Sequence, residues 1–413
     1  MTRWTRLWRW KPISAAALVL VTLPLVWGPA RADVFLATNL VTDAPAVNPA
    51  PLTDPNLRNA WGIGLSAASP FWVANNATGV STLYLVNAAT NVPTKVNLEV
   101  AIAGTGRVTG LANNPGGAGA FNGDTFLFVG EDGTVSGWRT ALGTTAEVLA
   151  TGLANNVYKG ATAATVGGHA YLYAANFHTG NVDVLKGDTG APDLVGRFTD
   201  PNLPAGYGPF GIQKLGNTIY VTYALLDAAG RDDVPGAGHG LVNAFDLQGT
   251  LLGRVGTMGT LNSPWGLALA PSSFGSSALD LLVGNFGDGR VNVFDPTTHA
   301  FLGQLSGPGG QPLVVTGLWG LSVGNSDTGG TAGSSGAVYF TAGPNGETHG
   351  LFGVIQPVPE PSTLALAGLS AAGLAYCGRR PRVPRRSRLK PPGIAPRTPR
   401  RCWRGLAVLH ALR

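Results

Sequence analysis

Between residues 33 and 356 the chain alternates short apolar runs with polar, turn-forming segments. The runs are about four to eight residues long, rich in Val, Leu, Tyr and Phe and bounded by Gly, Asn and Asp, which reads as strands and tight turns rather than helices. Val182-Asp183-Val184-Leu185 and Val291-Asn292-Val293-Phe294-Asp295 alternate strictly, as a half-buried strand does. One motif sets the register. Trp61-Gly62-Ile63, Thr109-Gly110-Leu111, Lys159-Gly160-Ala161, Phe210-Gly211-Ile212, Trp265-Gly266-Leu267 and Trp319-Gly320-Leu321 recur with glycine spacings of 48, 50, 51, 55 and 54 residues. A second β-rich run follows each motif, from Phe71-Trp72-Val73-Ala74 in the first unit to Val338-Tyr339-Phe340-Thr341 in the sixth.

Sixty of the 413 residues are glycine and thirty are proline, which disfavours helices throughout. The same composition is compatible with disorder. Matched aromatic positions in every unit, in a chain that is 44% hydrophobic, exclude it. Units of about fifty residues, each offering three or four strands, predict an all-β fold: a six-bladed β-propeller of four-stranded blades. The last unit shows strands near 318–323, 337–341 and 351–355, with little chain left for a fourth. Residues 35–41 are predicted to supply it and close the ring, which removes free sheet edges. An N-terminal arm packed elsewhere is the alternative.

Neither end reads as part of that fold. Arg3, Arg6, Arg9 and Lys11 form a charged n-region, residues 13–27 an apolar h-region, and Ala30-Arg31-Ala32 an A-x-A site before Asp33. Residues 1–32 are therefore expected to be a signal peptide, cut by signal peptidase after Ala32 at the site formed by Ala30 and Ala32, leaving 33–356 as the propeller domain. At the other end Val358-Pro359-Glu360-Pro361-Ser362-Thr363 leads into 14 mostly apolar residues, 364–377, and then Arg379-Arg380. A Pro-Glu-Pro element, a hydrophobic stretch and an arginine cluster, in that order, resemble the PEP-CTERM sorting signal that exosortase-type transpeptidases process in Gram-negative bacteria. The resemblance implies that Pro359, Glu360, Pro361, Arg379 and Arg380 form a sorting motif. It implies that a sorting helix within 357–380 holds the chain transiently in the inner membrane. An exosortase-like enzyme would then cleave it and deliver the body to the cell surface or an exopolysaccharide matrix. The apolar stretch is shorter than the ~20 residues of a spanning helix, which suits a processed signal better than a permanent anchor. Residues 381–413 read as a basic, disordered tail.

Charge changes meaning once these ends are set aside. The whole chain is formally +6, but five of its 28 basic residues precede Asp33 and twelve follow Gly378, while all 22 acidic residues lie in 33–360. The exported body therefore carries eleven basic against 22 acidic residues, a net charge of about −11. That excludes a nucleic-acid partner, because phosphate binding needs a clustered basic surface. Cys377 and Cys402 both lie beyond the body, so it has neither a disulfide framework nor thiolate chemistry.

Asn39-Leu40-Val41-Thr42-Asp43, Asp54-Pro55-Asn56-Leu57, Ala60-Trp61-Gly62-Ile63, Ser69-Pro70-Phe71-Trp72-Val73-Ala74-Asn75-Asn76 and Gly238-His239-Gly240 resemble a bacterial family of propeller-like exported proteins that often bear PEP-CTERM tails. The similarity covers 34–356 and implies the fold without an activity.

In a propeller, the loops into the innermost strands and those between second and third strands emerge on one face around the central channel. The first set carries Trp61, Phe210, Trp265 and Trp319. The second carries Asn75-Asn76, Glu131-Asp132, Asn176-Phe177-His178, Asn285-Phe286-Gly287-Asp288 and Asn345-Gly346-Glu347-Thr348-His349. Trp61, Trp265, Trp319 and His178 are candidate ligand-binding residues, and Glu131, Asn176, Asn285 and Glu347 are candidate ligands for a hard cation, with Ca²⁺ as the candidate cofactor. Turn chemistry is the alternative for each Asn, since Asn and Asp before Gly are what tight turns require. Blade packing is the alternative for the Trp-Gly pairs. The least repetitive loop, 226–240, adds Asp232, Asp233 and His239, which could bind Ca²⁺ or serve as base and proton shuttle, or be solvated without a role. Walker, G-x-S-x-G, H-E-x-x-H and EF-hand patterns are absent. The expected function is an exported cell-surface or extracellular-matrix scaffold that binds polysaccharide or a surface protein. The alternative is a calcium-assisted hydrolase or lactonase-like enzyme working at the channel face.

Overall fold

A computed structural model describes residues 33–105, 107–153 and 155–358. Ala30 and Ala32 of the expected signal peptide, the sorting residues Pro359, Glu360, Pro361, Arg379 and Arg380, and the residues 381–413 lie outside the described residues. Helix within them is confined to 3-10 turns of three residues, and no described helix is long and apolar enough to cross a membrane.

Six sheets follow one another along the chain, one per repeat unit, and form the six blades of a β-propeller, all antiparallel except for a two-residue parallel pairing of Leu52–Thr53 with Val41–Thr42 at the edge of the sixth. Their innermost strands are Ala60–Gly64, Val108–Asn113, Tyr158–Val166, Tyr207–Leu215, Pro264–Leu269 and Leu318–Val323, each beginning at or just before the recurring motif. The motif needs glycine because neighbouring inner strands nearly touch there. A Cβ on Gly62 would lie 2.4 Å from the Thr109 carbonyl oxygen, on Gly211 2.2 Å from that of Trp265, and on Gly266 2.5 Å from that of Trp319. At the seam, a Cβ on Gly320 would lie 3.1 Å from the Trp61 carbonyl oxygen, so the sixth blade meets the first as the others meet each other. Glycine's missing side chain sets the diameter of the ring.

The ring closes as expected. Phe35–Thr42 pairs antiparallel with Leu351–Pro357, from Phe35↔Pro357 to Thr42↔Leu351, and so completes the sixth blade. Phe35, Leu40 and Val41 are buried by that docking. Asp43 fastens its end by accepting hydrogen bonds from the Gly350 amide at 2.9 Å and from His349 Nδ1 at 3.0 Å. The third blade keeps three strands, Tyr158–Val166, His169–Asn176 and Asn181–Lys186. The chain that follows carries Pro192, Pro201 and Pro204, which lack the ladder donor. Its Gly196 and Phe198 amides bond instead to the Gln248 and Gly249 carbonyls of the fourth blade.

Asp-Pro-Asn-Leu occurs twice, at 54–57 and 200–203. Both copies do the same job. Asp54 is fully buried and accepts from Tyr84 Oη at 2.7 Å and Lys95 Nζ at 2.8 Å, while Asp200 pairs with Arg254 and accepts from Asn243 Nδ2 at 2.9 Å. In each, the following Asn amide caps the Asp side chain, so the turn is locked onto the outer strands of its neighbouring blade.

Candidate functional site

Strand register places both loop sets on one face. Ala60 opposes Asn75, Val108 Gly130, Tyr158 Asn176, Tyr207 Leu225, Pro264 Asn285 and Leu318 Ala342. On that face the channel is stoppered by aromatic side chains. Trp61, Phe177, Phe210, Ala224 and Trp319 form a buried cluster, with Leu226, Trp265 and Phe286 packed against it. Phe286, Trp319 and Trp61 form one stack, with ring centroids 3.8 and 3.7 Å apart, and Trp265 meets Trp319 edge-on at 6.0 Å. Trp61 and Trp319 are only 2% and 1% exposed, so they pack the channel and offer no open platform. Trp265 is half-buried, its Nε1 donating to the Lys159 carbonyl at 3.0 Å. Asn59 and Ser263, each two residues before a stopper tryptophan, adopt left-handed backbone at φ +46° and +45°. These bends reverse the chain just before Trp61 and Trp265.

At the centre of this mouth sits Lys159. Its side chain is 1% exposed, and its ammonium lies 5.2 Å from the Trp61 ring centroid and 5.9 Å from that of Phe177, within cation–π range. It donates to Glu131 Oε1 at 2.5 Å and to Asp232 Oδ1 at 3.4 Å. The network continues outward: Asn76 Nδ2 donates to Glu131 Oε2 at 3.2 Å, and Asn59 Nδ2 donates to Asn76 Oδ1 at 3.3 Å and to Glu347 Oε2 at 2.7 Å. Asn59 Oδ1 in turn accepts from Trp319 Nε1 at 3.0 Å, which joins the rim to the stopper. Burial raises the Glu347 carboxyl above its usual range, with the Asn59 hydrogen bond opposing it. Burial likewise pushes Asp233 up to about 6, and its Oδ2 is enclosed without a hydrogen-bond partner.

Loop 226–240 folds over this mouth. Arg231 Nη2 donates to the Glu131 carbonyl at 3.2 Å, His178 Nδ1 lies 3.0 Å from the Gly230 carbonyl oxygen, and Asp232 reaches Lys159. His239 Nδ1 lies 2.8 Å from the Val234 carbonyl oxygen, so it braces its own loop. Of the four candidate cation ligands, the structure brings two into one network. Glu131 and Glu347 do join one network, but Asn176 and Asn285 are spent elsewhere as buried turn residues. Asn176 accepts from the Val157 amide and donates to Asn156 and Asp183; Asn285 donates to Thr260 and Asp288 and accepts from Asn292. Among the described residues, no group of three or more His, Cys, Asp or Glu could hold a metal ion. The cation at this mouth is a lysine. Its signal was in the repeat itself, since Lys159 occupies a position that is aromatic in four of the six units.

The opposite mouth is open. The C-terminal ends of the inner strands frame a funnel of about 330 Å³ whose lining includes Ile63, Leu65, Leu111, Asn113, Gln213 and Lys214. Between funnel and stopper the channel holds only about 10 Å³ of free space, about enough for one water molecule.

The PEP-CTERM protein-sorting motif matches residues 357–380, which implies exosortase processing and export to the cell envelope or surface. Over 347 residues the chain is 30% identical to "Uncharacterized protein R648" of Acanthamoeba polyphaga mimivirus, covering 80% of this chain and 83% of that protein. The chain belongs to that protein's family. "Uncharacterized protein L690" of the same virus is a second relative, 30% identical over 318 residues, or 73% of this chain and 80% of the relative. Among solved structures, an α-L-arabinofuranosidase from Fusarium graminearum is similar with a TM-score of 0.47 at 12% identity, over 78% of this chain and 98% of that one. The periplasmic gluconolactonase of Pseudomonas aeruginosa gives 0.40 at 14% identity, over 72% and 85%.

Proposed function

We propose that the protein is an exported binding and scaffold protein of a Gram-negative cell surface or extracellular matrix, associated with exopolysaccharide, rather than an enzyme. Signal peptidase and an exosortase-like transpeptidase would process it during a transient stay at the inner membrane. The supporting observation is the Lys159 network. Carboxylates that could have served as metal ligands or bases at the stoppered face are tied to a buried ammonium and two amides, over an aromatic stopper. A reaction chamber needs groups that exchange protons with substrate in reach of one another. Here Lys159 and Asn59 already hold Glu131 and Glu347 in place, which favours a rigid display surface.

The test is to express the full chain in an exosortase-bearing host and examine cell-surface material. Intact mass should show loss of residues 1–32 and of most of the sequence after Pro361, and the processed protein should co-sediment with the host's exopolysaccharide. Surface protein that retains Arg413, or that stays soluble beside the polysaccharide while hydrolysing lactones or glycosides, would overturn the reading.

A further inference from the structure

We infer that the open funnel on the far face is a binding site for a carboxylate-bearing saccharide ring, a uronate in chemical class. The inference rests on the polysaccharide-binding role proposed above and names what the site recognises. The funnel's volume, about 330 Å³, lies at the low end of small-molecule sites, room for a sugar ring or two and too small for a folded partner. Its floor is aliphatic, from Ile63, Leu65 and Leu111, and its wall carries Asn113, Gln213 and Lys214.

Lys214 is the residue that commits the chemistry. The described residues contain four lysines, Lys95, Lys159, Lys186 and Lys214. The first three each sit within 4 Å of a carboxylate. Lys214 has no such partner among the described residues, in a body whose net charge is about −11. The Gln213 side chain likewise makes no hydrogen bond to described protein groups, and Asn113 donates to the Thr125 carbonyl, which leaves its Oδ1 to accept. An ammonium without a carboxylate partner, a free primary amide and an amide acceptor in one lining match one carboxylate and neighbouring hydroxyls. The aliphatic floor suits the C–H face of the ring. A purely apolar acid would leave the amides unserved, and a neutral sugar would leave the ammonium unpaired.

Calorimetric titration of the purified exported protein decides it, with glucuronic acid, glucose and hexanoic acid as probes at neutral pH and low salt. Glucuronate should bind about ten- to hundredfold more tightly than glucose, the worth of a hydrogen bond to a charged group, and more tightly than hexanoate. Lys214→Gln should bring glucuronate down to the glucose level, Lys214→Arg should keep most of the preference, and Lys186→Gln, the same change at an exposed outer-strand position, should change nothing. Equal binding of glucuronate and glucose, hexanoate binding as tightly as glucuronate, or no binding of any probe would overturn the inference. Its failure is separable from that of the broader role: exopolysaccharide retention without glucuronate binding removes the funnel site alone, whereas glucuronate binding without matrix retention removes the scaffold role alone.

Discussion

Two lysines on adjacent inner strands show how differently the two mouths of this channel are built. Lys159 lies near the start of Tyr158–Val166, at the stoppered mouth, and Lys214 lies near the end of Tyr207–Leu215, at the open one. The first is buried against Trp61 and paired with Glu131 at 2.5 Å; the second is half-buried, lines a cavity and has no carboxylate partner among the described residues. A buried ammonium survives only when paired. Lys159 is therefore committed to holding blades together, while the amine of Lys214 is left free to meet something from solution. The mouth with the richer display of polar and aromatic residues is the closed one.

The sharpest way to break this contrast is to remove the stopper. Trp319 is stacked on both faces and bonded to Asn59, so Trp319→Ala should cost about 4 kcal/mol, the usual cost of truncating a buried aromatic, read from urea unfolding of the exported protein. A loss below about 1 kcal/mol would mean that the ring stands without its plug. Next in size is Lys159→Met, which keeps the volume but strands Glu131. The expected cost is about 3 kcal/mol, the low end for breaking a buried pair, because Glu131 keeps Asn76 and some solvent. The double variant Lys159→Met/Glu131→Leu should recover most of it. Additive losses would show that the pair is not coupled.

What could be read from the chain follows from which constraints repeat. The ring, its six blades and its closing strand were legible because the inner glycines are needed at the same contact in every blade, and a contact made six times leaves a period. The shared face of the two loop sets was legible for the same reason. Lys159 was harder, because its meaning lies in departing from a pattern and in Glu131 and Asp232, 28 and 73 residues away. Asn176 and Asn285 show why equivalent turn positions do not make a shared site by themselves: each bonds to nearby turn and strand groups, Asn176 to Val157, Asn156 and Asp183 and Asn285 to Thr260, Asp288 and Asn292. The funnel left no mark at all: Ile63, Leu65 and Leu111 read simply as strand residues, and only ring closure gathers them.

A pH series sharpens the contrast from the stoppered side. Asp233 is pushed up to about 6 by burial, against about 3.9 in the unfolded chain, so the folded form holds its proton more tightly. The sign follows from linkage: this group's contribution is full below about pH 4 and is lost as pH rises to about 6. Asp233→Asn, which mimics the protonated acid, should match the wild type near pH 4 and exceed it at pH 7 by about 1–2 kcal/mol, allowing for the solvent that still reaches this half-buried side chain. Parallel stability curves for the two proteins across that window would show that the carboxyl is not enclosed.

The smallest expected effect is the most discriminating. Lys214→Met, placed beside Lys159→Met, makes the same chemical change on the next inner strand. Because the Lys214 amine has no carboxylate to strand among the described residues and the side chain is half-buried in the funnel lining, the stability change should stay within about 0.5 kcal/mol, as for substitutions away from structural pairs. Raising salt should leave that small difference unchanged, since there is no internal ion pair to screen. A loss comparable to that of Lys159→Met would mean that Lys214 is bound to the protein after all. The two mouths would then be alike in being closed by their own charges.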